Sequence, residues 1–203
     1  MDGLEKKILY YYVCVFRRGL NDEESVSVVE VSRFELLEDD SVVFVEGDLS
    51  WFQHRGYGDQ RQDGRWGFSS VETLYLVKNG RAKVYRDGRQ LGFNELLSFF
   101  IQRDGNIWRD YVIYMDLRKR RYVVKEGFGP KLRFRVFERG EYLEKPAKYL
   151  IIPLYEGESV KVEILLNLLK SCRAMNKIAV VAVLDRRNEV VYYNASLVEL
   201  VNK

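Results

Sequence analysis

Histidine is nearly absent from this sequence: among 203 residues there is a single one, His54. Cysteine is scarce as well, with only Cys14 and Cys172. One histidine and two cysteines cannot supply the four ligands of a Cys/His zinc site. A reaction that needs a histidine as acid or base must use His54. His54 lies in a polar, glycine-rich stretch, residues 53–67, which predicts a loop and an exposed side chain.

A strong charge of one sign and long apolar runs are also lacking. The net charge is +3, and hydrophobic residues make up 47% of the chain, which is typical of a folded protein. No apolar run approaches the ~18 residues of a membrane span, so we expect no membrane insertion. Both cysteines lie among apolar or helix-forming neighbours, which indicates buried thiols in a reducing compartment. We therefore expect a cytoplasmic protein.

Several sequence motifs of enzymes are missing. There is no P-loop and no Gly-x-Ser-x-Gly nucleophile motif. The two Gly-x-Gly segments, at residues 56–58 and 127–129, lack the third glycine and the following helix that a dinucleotide site requires. These absences exclude the common nucleotide-binding and serine-hydrolase sites.

Hydrophobic periodicity predicts an α/β (α+β) protein of two small domains, residues 1–103 and 104–203. Ser69 and Glu72 form a capping box at the start of one helix, which Asn79 and Gly80 close. Further helices are predicted at 93–102, 107–120, 159–176 and 196–201. Strands are predicted at 8–16, 26–31, 42–45, 82–85, 122–125, 132–137, 149–154, 178–184 and 190–193.

The predicted helix 107–120 ends in four cations, at residues 118–121. Such a run is favourable at the negative end of a helix dipole, where it is commonly solvated. The alternative is a contact with the phosphates of a nucleic acid. From the residues by themselves, both interpretations stay open.

The second half resembles the archaeal tRNA-splicing endonuclease family. The resemblance begins at residues 111–120, which end in the family's Tyr-x-Asp-Leu-Arg pattern, and continues through the strand and glycine turn of 122–129. Segments 134–137, 147–151, 177–185 and 190–193 follow in the family's order and at close to its spacing. The resemblance implies a C-terminal domain with a restriction-endonuclease-like sheet flanked by helices, and an N-terminal mixed α/β domain.

The family cleaves RNA by attack of a 2′-hydroxyl on the neighbouring phosphate, using a tyrosine, a histidine and a lysine without a metal or cofactor. At the matching positions this chain has Phe137, Pro146 and Lys177. Phenylalanine and proline side chains cannot transfer a proton. The resemblance therefore implies a chain in which Lys177 is the one catalytic group retained.

A chain with these losses resembles the structural subunit of the family's two-subunit enzymes. The resemblance then implies an α2β2 heterotetramer with a catalytic subunit, which cuts precursor tRNA at bulge–helix–bulge sites. Two alternatives remain. One is an active endonuclease that uses Lys177 with Tyr142 or His54, and the other is a stand-alone RNA-binding module on the same fold.

The resemblance also implies surfaces for partner and RNA. In the family the last strand pairs subunits, and the loop before it docks into the opposite subunit. The matching interface residues here are Asp185, Glu189, Val190, Val191, Tyr192 and Tyr193, although Arg186 and Arg187 cancel the charge of the loop's two acids. The expected RNA contacts are Lys170, Arg173, Arg118, Arg120 and Arg121, and lysine at 170 replaces the family's arginine, which gives up a planar stacking surface.

Overall fold

The computed structural model of the chain describes residues 31–197. The predicted strands at 8–16 and 26–31 lie outside these residues, apart from Val31, as does most of the predicted helix at 196–201. The first half of the described chain contains β1 (Ser32–Leu36), β2 (Val42–Glu46), α1 (Leu49–His54), β3 (Asp59–Gln60), β4 (Trp66–Phe68), α2 (Ser70–Lys78), β5 (Ala82–Arg86), β6 (Arg89–Leu91) and α3 (Phe93–Ile101).

The second half begins with the longer helix α4. Its elements are α4 (Ile107–Lys119), β7 (Val123–Glu126), β8 (Phe134–Phe137), β9 (Tyr149–Tyr155), α5 (Val162–Ala174), β10 (Ile178–Leu184) and β11 (Val190–Ala195). No helix within residues 31–197 is long and apolar enough to cross a membrane.

The strands form two mixed sheets, one from each half. The first has the order β3-β4-β2-β1-β5-β6, and the second has the order β11-β10-β9-β8-β7. Each sheet contains one parallel pair, β1 with β5 and β9 with β10, and its other pairs are antiparallel. Helix α5 connects the parallel strands β9 and β10, as a parallel pair requires. The predicted mixed α/β fold class is confirmed.

Helix α2 begins as its sequence predicts. The Ser69 hydroxyl accepts the Glu72 N–H at 3.3 Å, and the Glu72 carboxylate accepts the Ser69 N–H at 3.0 Å. These two bonds satisfy N–H groups that a helix start leaves without partners. The helix ends at Lys78, and Gly80 adopts a φ of 66°, which glycine reaches without strain.

Three predictions about local structure are wrong. Residues 53–67 are not one loop, because they contain the end of α1 and the hairpin strands β3 and β4. Strand β1 is missing from the prediction, although Phe34 and Leu36 alternate with charged residues as a half-buried strand does. Helix α5 starts at Val162 rather than near Ser159, because the backbone of Lys161 accepts the first helical bonds and no side chain caps the helix.

One large hydrophobic core crosses the predicted domain boundary. Buried side chains from the first half, such as Phe34 and Leu74, belong to the same cluster as Tyr114 and Phe134 from the second. A smaller cluster between α5 and the other face of the second sheet contains Leu132, Leu150, Ile152, Leu169, Cys172, Ala179 and Val181. Helix α4 joins the halves, because it packs against helices α2 and α3 of the first half and against strands β7, β10 and β11 of the second.

Candidate functional site

Phe137, Pro146 and Lys177, which the resemblance matches to the family's catalytic residues, lie at one end of the strands β8, β9 and β10 of the second sheet. Strand β8 runs antiparallel to β9, and β9 runs parallel to β10, so the end of β8 meets the starts of β9 and β10. Tyr149 is the partner of both Val136 and Ile178 in the strand register. Phe137 directly follows Val136, Lys177 directly precedes Ile178, and Pro146 lies three residues before Tyr149.

The side chains at this edge have different surroundings. The half-buried ring of Phe137 meets the ring of Tyr142 edge-on, with centroids 5.0 Å apart. Pro146 is exposed. Lys177 is half-buried and lines a cavity of about 340 Å³ with Arg173 and other residues of the α5–β10 connection. Of the three positions, Lys177 is the one with a functional group that could contact a phosphate.

A cluster that the sequence analysis missed lies at the same edge. Glu138 accepts hydrogen bonds from the Tyr149 hydroxyl at 2.6 Å and from the Lys148 ammonium at 2.8 Å. The bonds from Lys148 and Tyr149 lower the pKa of Glu138 from 4.5 to about 2, and the bond to Glu138 raises the pKa of both Lys148 and Tyr149. These three groups are therefore hydrogen-bonded to one another, with Glu138 as the shared acceptor.

Neither Tyr142 nor His54, the two groups considered as substitutes, lines the cavity that Lys177 lines. The Tyr142 ring packs against Gly56 of the first half, where a Cβ atom would meet its Cζ at 3.0 Å. Burial, with the nearby carboxylates of Asp59 and Glu72, raises the pKa of Tyr142 and keeps it protonated. His54 is exposed at the end of α1, where its Nδ1 hydrogen-bonds the Ser50 carbonyl at 2.7 Å.

The candidate RNA contacts divide into exposed and buried residues. Lys170 and Arg173 are exposed on α5, and Arg121 is exposed after the end of α4. Arg120 is exposed too, and it pairs with Asp116 at 2.8 Å.

Arg118 is only 9% exposed. Its guanidinium donates to the carbonyls of Arg55 at 3.0 Å and Tyr122 at 3.3 Å, and it lies 3.7 Å from the centre of the Tyr57 ring. The expectation that Arg118 presents its charge to RNA does not hold, because its donors are used inside the protein. Spacing along the helix end could not reveal this, since the acceptor comes from a residue 63 positions earlier.

Strand β11 is the outer strand of the second sheet, and it pairs only with β10 among the described residues. Val191 is 50% exposed and Tyr193 is 57% exposed. In the loop before it, Asp185 Oδ1 accepts the N–H groups of Arg187 and Glu189, both at 2.8 Å. One oxygen of the predicted docking acid is therefore used to close its own turn.

The loop 185–189 also contacts the rest of its own chain. The Trp108 indole donates to the Asn188 side-chain oxygen at 3.2 Å, and the Arg186 N–H donates to Glu156 at 3.0 Å. These contacts fix the loop against the start of α4 and the β9–α5 connection. Within residues 31–197, no three His, Cys, Asp or Glu side chains are grouped as metal ligands would be.

The chain matches the "tRNA intron endonuclease, catalytic C-terminal domain" family over residues 107–192, and the "tRNA intron endonuclease, N-terminal domain" family over residues 33–97. It is 30% identical over 142 residues to a tRNA-splicing endonuclease of Pyrococcus abyssi, which covers 70% of this chain and 81% of that protein. The chain belongs to the tRNA intron endonuclease family.

Two further relatives show that the match is broad. A tRNA-splicing endonuclease of Thermococcus onnurineus is 29% identical over 154 residues, or 76% of this chain and 89% of the relative. One from Methanococcus vannielii is 29% identical over 167 residues, or 81% of this chain and 93% of the relative. The family resemblance stated from the sequence is thus confirmed for both halves of this tRNA intron endonuclease family member.

Proposed function

We propose that this chain is the structural, non-catalytic subunit of a tRNA-splicing endonuclease, and that it pairs with a catalytic subunit to remove introns from precursor tRNA at bulge–helix–bulge sites. The observation that carries the proposal is the composition of the sheet edge. By the resemblance, Phe137 and Pro146 stand where the family keeps its proton-transfer groups, and the neighbouring Glu138 accepts hydrogen bonds from Lys148 and Tyr149. A site that lacks two of the three functional groups lacks the base and the acid that 2′-hydroxyl attack needs.

The exposed outer strand β11 supports the proposal that a partner chain binds here. Unpaired N–H and C=O groups on an outer strand favour pairing with another strand, and the exposed Val191 and Tyr193 would be covered by it. A catalytic subunit of the same family would present a matching last strand, which gives a pseudo-two-fold contact. We propose two such pairs in an α2β2 assembly, with Glu189 and Asp185 at its docking loops.

The remaining parts of the proposal concern RNA, domains and location. Exposed Lys170, Arg173, Arg120 and Arg121 are the proposed contacts to the RNA backbone, whereas the buried Arg118 is left out. We propose domains at 1–103 and 104–203, and no cofactor. Because the two cysteines of the sequence suit a reducing compartment, we place the assembly in the cytoplasm.

The test is reconstitution of cleavage on a bulge–helix–bulge RNA. We expect the purified chain to leave this RNA intact, the catalytic subunit with this chain to cut it, and the products to carry 2′,3′-cyclic phosphate and 5′-hydroxyl ends. Robust cleavage by the purified chain would contradict the proposal and favour an active enzyme with relocated groups. A failure to associate with any catalytic subunit would favour a stand-alone RNA-binding module.

Lys177→Ala separates a retained catalytic group from a relic within the same assay. If Lys177 has no part in the reaction, the assembled enzyme with this variant cuts at the wild-type rate. Loss of a group that acts in the chemical step costs about 100-fold or more in rate. A loss of that size, with assembly intact by light scattering, would show that this chain contributes to catalysis.

A further inference from the structure

A row of arginines stacked on aromatic rings crosses from the first half of the chain to the second. The guanidinium carbons of Arg55 and Arg81 lie 4.4 Å and 5.0 Å from the centre of the Trp51 ring. The guanidinium carbon of Arg139 lies 4.7 Å from the centre of the Tyr122 ring. We call these five residues the arginine strip.

The buried Arg118 connects the two ends of the arginine strip. It donates one hydrogen bond to the carbonyl of Arg55 and another to the carbonyl of Tyr122. Because one planar guanidinium binds both carbonyls, Trp51 with its two arginines stays at a fixed position relative to Tyr122 and Arg139. The backbone segments that carry the two ends of the strip are therefore held next to each other, and each guanidinium is placed by the ring on which it stacks.

The arginines of the strip differ from several other arginines of the chain in the ion pairs that they make. Arg61, Arg65 and Arg103 are paired with Asp39, Asp63 and Asp40 respectively. Within residues 31–197, the structure shows no ion pair for Arg55, Arg81 or Arg139, and Arg55 and Arg139 are exposed. Arg55 is near enough to the Asp48 carboxylate for the two charges to interact, and cations that make no ion pair mark a place where an anionic partner would be attracted.

The chemistry of the strip fits RNA. A guanidinium stacked on a ring keeps its edge N–H groups for phosphate oxygens, and planar guanidinium and aromatic surfaces also stack on unpaired bases. We propose that the arginine strip binds the sugar–phosphate backbone of the substrate RNA, outside the family's cleavage edge, and that the N-terminal half thereby contributes to RNA binding. The inference rests on the proposed function for the identity of the RNA, a precursor tRNA.

The test compares two double variants of the full chain by their affinity for a bulge–helix–bulge RNA at several salt concentrations. Arg55→Ala/Arg139→Ala removes two cations of the strip but keeps the Arg55 carbonyl that Arg118 binds. The control, Arg89→Ala/Lys131→Ala, removes the same charge from the β5–β6 and β7–β8 hairpins. We expect the strip variant to bind at least about 10-fold more weakly and to lower the salt slope by about 2, or about 1 per lost phosphate contact.

Each outcome decides for or against the strip. A strip variant that binds RNA like the control would overturn the proposal, and so would one that weakens association with the catalytic subunit but not with RNA. Circular dichroism checks that both variants fold. Since RNA affinity is measured on this chain without a partner, a failed reconstitution would count against the proposed function and leave the result for the strip standing.

Discussion

At the scale of single residues, the candidate site combines the positions that the resemblance matches to the family's catalytic groups with a hydrogen-bonded cluster around Glu138. The resemblance matches Phe137 and Pro146 to two of the family's three catalytic positions, and this match stays a prediction from the sequence. The cluster of Glu138, Lys148 and Tyr149 could not be predicted in the same way. Its members are ten and eleven residues apart in the chain, and they meet only because β8 and β9 pair in one register.

The hydrogen bonds to Glu138 predict how the free energy of unfolding depends on pH. Its pKa falls from 4.5 to about 2 in the folded chain, chiefly through the hydrogen bond from Lys148. The stabilisation is therefore complete above pH 4.5 and is lost as the pH falls through about 2. We expect the free energy of unfolding of Glu138→Gln to depend less steeply on pH between 4.5 and 2 than that of the wild type, as measured by urea denaturation.

The control for this prediction is Glu126→Gln, since Glu126 is exposed and makes no ion pair within residues 31–197. Its acid dependence should follow the wild type. Asp39, whose pKa is also lowered to about 2 by its bond from Ser41, keeps part of the acid dependence in every variant. Equal pH curves for Glu138→Gln and the wild type would refute the pairing.

At the scale of secondary-structure elements, strong local signals were predicted well. The capping box of α2 and the apolar run of β10 are written in adjacent residues, and the structure confirms both elements. The start of α5 was misplaced because no side chain caps it, so the sequence carries no mark at Lys161. Short strands such as β3, with two residues, form by pairing and leave little periodicity to detect.

The capping box allows a test with two neighbouring serines. Ser69→Ala removes the hydroxyl that accepts the Glu72 N–H, and we expect the free energy of unfolding to fall by about 1 kcal/mol. Ser70→Ala, one residue later in the first turn, changes a half-buried serine that is not the N-cap and should alter it by less than half as much. Both are measured by chemical denaturation. Equal effects would show that the cap bond contributes nothing specific.

At the scale of the whole molecule, the two halves are joined by buried polar contacts as well as by the shared core. Lys125 of β7 is 4% exposed, donates to the Gly58 carbonyl and pairs with Asp59 at 3.0 Å. Glu72 of α2 is 4% exposed and accepts the Gly58 N–H at 3.2 Å. Burial raises the pKa of Glu72, and the nearby charge of Lys125 opposes this change. The sequence could not predict this junction, because its partners are 66 and 67 residues apart.

Lys125→Met tests whether the halves unfold together. The substitution leaves the Gly58 carbonyl without its buried donor and Glu72 without its compensating charge, so we expect a loss of about 2 kcal/mol. If this junction couples the halves, the transition should also separate into two steps. Trp51 and Trp66 report on the first half, and Trp108 reports on the second. Exposed Lys131→Met serves as the control and should keep one transition. One sharp, unshifted transition for Lys125→Met would count against the junction.

The two hydrogen bonds of Arg118, one to each half of the chain, have a geometric consequence for the proposed assembly. A guanidinium that binds the Arg55 and Tyr122 carbonyls at once leaves the two sheets little freedom to hinge. In a chain of this kind, molecules that bind to the two halves would be held at a fixed distance from each other. In the proposed enzyme, which would cut an RNA at two points, such a subunit would contribute by fixing the spacing of the bound parts rather than by taking part in the chemical step.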